Sequence, residues 1–155
     1  GQVTTFYVCN QPPVPNNYTF SPPAESEWLP LFAAANGFDG FLRWAYHSWS
    51  ENPLLSTDFP IGPSGDAFLI YPGDRSSIRF ERLREGIESF EKVRLLREFA
   101  LKNPSPQTTA ALAKIDAVLA EFTWPRGKKS GIHAGDVKRI HAAILDATRT
   151  LISRK

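Results

Sequence analysis

The chain has 155 residues, of which 42% are hydrophobic and 22% charged, so we expect one globular domain with a sizeable core rather than a disordered segment. A formal net charge of +2 does not indicate a nucleic-acid partner, and no apolar run reaches the roughly 18 residues that a membrane span needs. Cys9 is the single cysteine, which excludes an internal disulfide and a cysteine-based zinc site. We expect no metal and no cofactor. Gly1 stands where a natural start residue would be, so we expect a piece of a longer polypeptide.

The chain begins with the pattern of a strand followed by a helix. Residues 4–9 form a β-branched and aromatic run that is typical of a buried strand. The proline-rich stretch NQPPVPNNYTFSPP lacks the donors that a strand needs and predicts a loop. Ser21 is then a candidate N-cap with Pro22 at the first helical position, and Asn36-Gly37 predicts the end of that helix.

Two further segments have the pattern of strands. Residues 38–46 are the second candidate, and AFLIY at 67–71 is the third. A loop of about 20 residues separates them, and loops of that length in compact domains usually have a function or are disordered. Within this loop, GPSGD at 62–66 lacks the G-x-S-x-G spacing of a hydrolase nucleophile and predicts a turn.

Three helices are predicted in the second half. The first has about seven turns, begins near Ser77 and ends at Asn103-Pro104; the second follows Ser105-Pro106. TWPRGKKSG predicts a loop before the last helix. Apolar residues recur at helical spacing in all three, and we expect them to face the core. They are Ile78, Phe80, Leu83, Ile87, Phe90, Leu95 and Phe99 in the first helix, Leu112, Ile115, Val118, Leu119 and Phe122 in the second, and Val137, Ile140, Ile144, Leu151 and Ile152 in the third.

The order of these elements favours an α/β fold with a parallel sheet. The loop and helix between the first two strands are long enough for a right-handed parallel crossover. We therefore expect about three parallel strands with a crossover helix in residues 1–103, and a helical tail over 104–155 that packs on them.

Aromatic residues concentrate in the stretch FLRWAYHSWS. On a strand, Trp44 and Tyr46 would share one face near its carboxyl end, where ligand sites of parallel sheets lie, with His47 and Trp49 in the loop beyond and Tyr71 at the end of the next strand. Aromatic rings with polar tips can cover the apolar face of a sugar while they hydrogen-bond its hydroxyls. The same rings could instead plug the top of the core, and spacing alone does not choose between these interpretations.

Other candidate sites are weaker. His133 and His141 are eight residues apart, which does not place them on one helix face, so a metal site there is disfavoured. Most charges of the long helix have the spacing of a solvated face. Arg79, Glu81 and Arg84 are the exceptions, because the first turns of that helix would approach the same rim as the aromatic residues.

Four segments together resemble the C-terminal part of glycoside hydrolase family 123, which is also catalogued as domain-of-unknown-function family 4091. They are YTFSPPAESEWLPLFAAANG, GFDGFLRWAYHSW, GDAFLIYPG and SSIRFERLREGIESFEKVRLL, in this order, and they cover roughly residues 17–97. The combination is far more specific than any one of these motifs. No such resemblance extends over 104–155.

The resemblance implies a (β/α) barrel of TIM type, of which this chain would hold the last three strands. It also implies hydrolysis of β-linked N-acetylgalactosaminides with retention, in which the 2-acetamido oxygen of the sugar attacks the anomeric carbon. One carboxylic acid protonates the leaving group and a neighbouring carboxylate orients the acetamido group. The family carries these acids as an adjacent Asp-Glu pair on an earlier strand. This sequence has no Asp-Glu dipeptide, so we expect the pair to lie before residue 1 and this chain to be inactive alone.

The resemblance also shifts the interpretation of individual residues towards a sugar site. Trp44, Tyr46 and Trp49 match its aromatic-rich penultimate strand and are expected to pack against the sugar and shape the acetamido pocket. Tyr71 would contribute a hydroxyl from the last strand. His47 and Asp66 are weaker candidates for contacts with sugar hydroxyls.

Four charged residues are expected to act as structural support. Arg79, Glu81 and Arg84 match the helix motif and would hold the last strand and its loops. Arg43 would lie on the strand face opposite Trp44 and is expected to pair structurally.

Two further functions remain open beside a glycosidase fragment. One is a non-catalytic carbohydrate-binding or scaffold module derived from such a barrel; the other is a helical interaction domain built around residues 77–155. An Asp-Glu pair upstream in the parent gene would favour the enzyme. The expected partner is an N-acetylgalactosamine-type glycan, and family members suggest a periplasmic or extracellular bacterial location. Unpaired sheet edges would favour self-association.

Overall fold

The computed structural model describes residues 1–11, 13–58, 62–123 and 131–152. In these ranges the chain forms a mixed α/β fold with two short strands and four α-helices. The predicted loop TWPRGKKSG lies almost entirely outside the described residues. The elements are β1 (Thr5–Tyr7), α1 (Pro23–Asn36), β2 (Gly40–Leu42), α2 (Ile78–Lys102), α3 (Pro106–Leu119), a 3₁₀ turn (Ala120–Phe122) and α4 (Ala134–Ile152).

The two strands pair in parallel through the α1 crossover, as the sequence predicts. Thr5 lies opposite Gly40, and Tyr7 lies opposite Leu42. The second strand is shorter than its predicted range 38–46, because the chain leaves the sheet at Leu42. Trp44 and Tyr46 therefore lie beyond the end of the strand, and the prediction that both rings share one face of that strand is wrong.

The third parallel strand, predicted at 67–71, does not form. This segment instead runs antiparallel to the chain that leaves β2, through a single bridge between His47 and Phe68, and a second bridge joins Tyr71 to Arg75 in the turn before α2. The amides of residues 69 and 70 both point at the Tyr46 carbonyl, which a regular ladder does not allow. The expectation of a partial barrel stays a prediction.

Helix α1 occupies the centre of the fold. Residues 25–34 are buried without interruption, which requires neighbours on every side of the helix. The helix begins one residue later than predicted: Pro22 takes the N-cap position and has no side-chain cap hydrogen bond, so the Ser21 cap is wrong. Its predicted end is confirmed, because Gly37 adopts φ 72° and its amide donates to Ala33.

Helix α2 packs on α1 through a face that its apolar periodicity does not predict. The buried positions include Gly86, Ser89, Val93 and Leu96. Ile78, Ile87, Leu95 and Phe99 of the predicted stripe are exposed, and its other three members are partly buried. The reason is the close approach of the two helices at Gly86, where an added Cβ would lie 2.1 Å from the Glu27 carbonyl oxygen and a large side chain does not fit.

The main hydrophobic core lies between α1 and the C-terminal helices. Trp28 packs on Phe122 with ring centroids 4.1 Å apart, and Ile115 and Ile140 are fully buried beside them. Ser105 and Thr108 form a capping box that starts α3 where the sequence predicts it. Among the predicted inward residues of α4, Ile152 is the exception, since it is exposed. No helix in the described ranges is long and apolar enough to cross a membrane.

Candidate functional site

The candidate site is built on two irregular segments that hydrogen bonds join side by side. Residues 43–49 leave β2 and run against residues 66–71, which lead into α2. The Ser48 amide donates to the Ala67 carbonyl at 3.0 Å, and the Leu69 amide donates to the Tyr46 carbonyl at 2.8 Å. Ser77 ties the second segment to the start of α2. Its hydroxyl donates to the Leu69 carbonyl at 2.6 Å and accepts a hydrogen bond of 3.2 Å from the Phe80 amide, which caps the helix.

Asp66 joins the two segments through its side chain. One carboxylate oxygen, Oδ1, lies 2.5 Å from Nη2 of Arg43, and the other, Oδ2, accepts a hydrogen bond of 3.2 Å from the indole Nε1 of Trp44. Arg43 also donates to the Asp66 carbonyl. Asp66 is only 2% exposed, whereas Trp44 is 48% exposed. A buried carboxylate therefore holds an exposed ring.

Three more aromatic rings follow along the outer segment. The Tyr46 and His47 ring centroids are 4.7 Å apart, and His47 meets Trp49 edge-on at 6.2 Å. The indole Nε1 of Trp49 donates to the Ile70 carbonyl at 2.8 Å. Because Tyr46, His47 and Trp49 are all exposed, this row presents aromatic surface to solvent. We call Trp44, Tyr46, His47 and Trp49 the aromatic row.

Tyr71 and Arg79 both contact Phe68, in the segment that pairs with the aromatic row. Tyr71 is half-buried and packs edge-on against Phe68 at 5.2 Å. The buried Arg79 guanidinium donates to three main-chain carbonyls, those of Asn17 at 2.9 Å, Gly65 at 2.7 Å and Phe68 at 2.9 Å. Arg79 thus fixes the N-terminal loop and the segment that carries Asp66.

Glu81 and Arg84 lie on the solvent side of the first turns of α2. Their side chains pair with each other at 2.8 Å, and Glu81 also accepts a hydrogen bond from the Ser76 hydroxyl. The Ser76 hydroxyl and Arg84 lower the pKa of Glu81. Both contacts stabilise the start of α2, and they are separate from the Asp66 cluster.

Burial dominates the electrostatics of the two arginines. It lowers the pKa of the Arg43 guanidinium, and the negative charge of Asp66 offsets part of that effect. Burial likewise lowers the pKa of Arg79, with Tyr71 offsetting part of it. Nε and Nη1 of Arg43 are buried without a hydrogen-bond partner among the described residues. The ion pair with Asp66 therefore provides most of the stabilisation that offsets the burial of this positive charge.

A groove of about 580 Å³ lies next to the row, between β2 and α2. Tyr46 belongs to both features, and Arg43, the neighbour of Trp44 in sequence, also lines the groove. The remaining lining is mostly apolar and includes Pro30, Phe41, Leu69, Ile70, Phe80, Leu83, Ile87 and Phe90, with Asp39 and Glu91 as its acidic members. In the described part of the chain, no group of three or more histidine, cysteine or acidic residues could hold a metal ion.

Sequence reasoning missed how the site is held together. Its candidates included Asp66 and Arg79, but not the link from Asp66 to Trp44, nor the role of Ser77 in fixing Leu69. Residues 44 and 66 are far apart in sequence and no periodicity relates them. The groove side chains Phe80 and Leu83 were assigned to the core because helical spacing does not tell which neighbour a face meets.

Residues 1–96 match the family model described as the glycoside hydrolase 123 catalytic domain. The match covers more than half of the chain, and the chain therefore belongs to glycoside hydrolase family 123. The resemblance noted from sequence motifs is confirmed. No curated protein matches the chain.

One solved structure with a similar fold comes from Clostridium perfringens. Its title describes the details of glycolipid glycan hydrolysis by structural analysis of a family 123 glycoside hydrolase. The TM-score is 0.74 at 24% sequence identity, over 99% of this chain. At this low identity the similarity is one of fold, and this chain spans only 28% of that protein's length.

Proposed function

We propose that this chain forms part of the sugar-binding wall of a β-N-acetylgalactosaminidase-type glycoside hydrolase and has no hydrolytic activity by itself. The single observation that carries the proposal is the aromatic row, in which four exposed rings lie together and two are held by hydrogen bonds, Trp44 by the buried Asp66 carboxylate and Trp49 by the Ile70 carbonyl. Rings of this kind cover the apolar face of a pyranose while their polar atoms and neighbours bond its hydroxyls.

The proposed roles follow the exposure of each ring. Trp44, Tyr46 and Trp49 pack against the sugar and shape the space around its acetamido group. His47 and the hydroxyl of Tyr71 supply polar contacts at the edge of the row. In the full-length enzyme that we propose, the acetamido oxygen attacks the anomeric carbon, one carboxylic acid of an Asp-Glu pair protonates the leaving group, and the neighbouring carboxylate orients the acetamido group.

Asp66 is poorly suited to replace that carboxyl pair. Both of its oxygens are engaged, one by Arg43 and one by Trp44, and it is almost fully buried. A general acid must reach the glycosidic oxygen directly or through one water.

Binding and turnover test the two parts of the proposal separately. Titration of the 155-residue chain with methyl β-N-acetylgalactosaminide should show saturable binding, and Trp44→Ala should weaken it by about tenfold, the loss of one stacking contact of about 1–1.5 kcal/mol. Leu55→Ala is the matched control, because Leu55 is 89% exposed and outside the row. No binding, or equal binding by Trp44→Ala, would refute the binding role. Turnover of an aryl β-N-acetylgalactosaminide that survives Trp44→Ala would refute the inactivity.

A non-catalytic carbohydrate-binding module is the second candidate. The observation that favours it is that residues of this chain, Asp66 and Ile70, hold Trp44 and Trp49 of the aromatic row by hydrogen bonds. The two candidates predict the same binding by this chain. They differ in the parent gene, where an Asp-Glu pair at the end of an upstream strand favours the enzyme.

We also propose that the isolated chain associates with a second copy through the groove and the free edge of β2. Within the described residues the sheet has two strands, so the outer edge of β2 exposes unpaired backbone groups there, and the groove places Phe41, Leu83 and Ile87 beside it. Apolar surface next to a strand edge favours pairing with another chain.

A further inference from the structure

We propose that Asp66 is a positioning residue, which acts on the sugar through the orientation of the Trp44 ring rather than by touching the ligand. This inference rests on the proposed sugar-binding function for its consequence, but not for its geometry. The observation that carries it is a buried carboxylate whose second oxygen is engaged by the N–H of a half-exposed indole.

The backbone around Asp66 is fixed independently of any ligand. Gly65 adopts φ 78°, and a methyl group placed on it would lie 2.6 Å from Cγ2 of Thr19 and 2.8 Å from Nη1 of Arg79. The Asp66 amide donates to the Pro63 carbonyl at 3.0 Å, and Arg79 holds the Gly65 carbonyl at 2.7 Å. The carboxylate is thus delivered from a turn that has little freedom to move.

The two carboxylate oxygens of Asp66 bind different partners. Oδ1 meets Nη2 of Arg43 at 2.5 Å and compensates that buried charge. Oδ2 is left for the indole of Trp44 at 3.2 Å. A carboxylate acceptor makes a stronger hydrogen bond than a neutral one, and this bond restrains rotation of the half-exposed indole. Arg43 in turn holds the carboxylate in place through its contact with Oδ1.

Preorganisation of an aromatic platform increases affinity because a ring that is already oriented loses less conformational freedom on binding. A less restrained Trp44 would still be exposed and apolar, but it would match a sugar face for a smaller part of the time. Asp66 therefore affects affinity without any contact to the ligand, and the effect must disappear once the indole N–H is removed.

The first experiment reads the link directly, in the full chain labelled with ¹⁵N at its indoles. Asp66→Asn should raise the solvent exchange rate of the Trp44 Nε1–H by at least about fivefold and shift its resonance, because a neutral amide is a weaker acceptor. The Trp49 Nε1–H donates to the Ile70 carbonyl and is the internal control, with an exchange rate changed by less than about twofold. An unchanged Trp44 signal overturns the proposal.

The second experiment reads the consequence, using methyl β-N-acetylgalactosaminide as the probe. Replacing Trp44 by benzothienylalanine keeps a bicyclic aromatic ring of similar shape, with sulfur in place of the N–H, and it leaves the Arg43–Asp66 pair intact. We expect Asp66→Asn to weaken binding about fivefold in the native chain and by less than about twofold in the benzothienylalanine background. Equal losses in both backgrounds overturn the proposal.

The variants remain informative if Asp66→Asn fails to fold because it leaves Arg43 unpaired. The benzothienylalanine chain alone must then bind the probe about fivefold more weakly than the native chain, and equal affinity overturns the proposal. If the native chain binds no probe, the sugar-binding function has failed, whereas the exchange rate of the Trp44 N–H still decides whether Asp66 holds the ring.

Discussion

Gly86 of α2 lies directly against the backbone of Glu27 in α1. A methyl group placed on Gly86 would be 2.1 Å from the Glu27 carbonyl oxygen and 3.0 Å from Cδ of Pro30. Because the obstacle is backbone, it cannot turn aside as a side chain could. The contact sets the distance between the two helices, and it does so at the centre of the fold.

We predict that Gly86→Ala destabilises the protein. The helices must separate to admit the methyl group, and overpacking of this kind costs about 1–3 kcal/mol, despite the better helix propensity of alanine. Urea denaturation measures the loss. Gly135→Ala in α4 is the matched control, because nothing lies within 4 Å of the added methyl group. It should be neutral or stabilise by up to about 1 kcal/mol. Equal stability of the two variants would contradict this account.

The same contact explains why the orientation of α2 could not be predicted from its sequence. The apolar stripe suggested that Ile87 and Leu95 face the core, but α1 approaches the face that carries Gly86 and Ser89. Hydrophobic periodicity reports which side chains favour burial, and it gives no information about which face a partner's backbone can approach. The capping box at Ser105 was predictable, because it depends on residues three positions apart.

The candidate site shows the same division between local and distant determinants. The aromatic composition of residues 41–50 was visible in the sequence, as was the turn at 62–66. The pairing of Trp44 with Asp66 depends on a chain reversal that replaced the predicted third strand. Residue type therefore indicated which side chains belong to the site, whereas their geometry depended on tertiary contacts.

Glu27 should make stability depend on pH. Its side chain is 2% exposed, with His141 Nε2 approaching Oε1 at 2.9 Å and Arg82 approaching Oε2 at 3.5 Å. Burial raises the pKa of Glu27 above 4.5, although His141 and Arg82 oppose the shift; Glu85 adds to it. Folding thus favours the protonated carboxyl. That stabilisation is complete below the unfolded-state pKa and is lost as pH rises through the raised value.

We therefore predict that Glu27→Gln flattens the decline in the free energy of unfolding as pH rises from about 4.5 towards neutrality. Burial also raises the pKa of Glu25, which leaves a residual slope in the variant. Urea denaturation at a series of pH values measures both slopes. Glu88→Gln is the control, because Glu88 is exposed and pairs loosely with Lys92 at 3.9 Å, so it should keep the native slope. A native slope in Glu27→Gln would show that burial of this carboxyl is not its source.

Arg79 should be irreplaceable even by lysine. Its planar guanidinium reaches three carbonyls at once, and a lysine ammonium at the end of a flexible chain cannot reproduce that fork. Leaving one buried carbonyl unpaired costs about 1–3 kcal/mol, so Arg79→Lys should lower the free energy of unfolding by at least about 1 kcal/mol. Arg84→Lys, in an exposed pair of the same helix, should change it by less than about 0.5 kcal/mol. Similar losses in both variants would contradict this.

The apolar groove predicts how the isolated chain behaves in solution. Ile87 is 49% exposed and lines the groove, whereas Leu95, on the same helix, is 53% exposed and is not among its lining residues. If a second copy covers the groove, Ile87→Lys places a charge in the interface. The free-energy cost of burying an unpaired charge is more than about 1.4 kcal/mol, so the dissociation constant of the dimer should rise at least about tenfold. Leu95→Lys should leave it unchanged. Light scattering across a concentration series measures both variants, and a native chain that stays monomeric throughout would refute self-association.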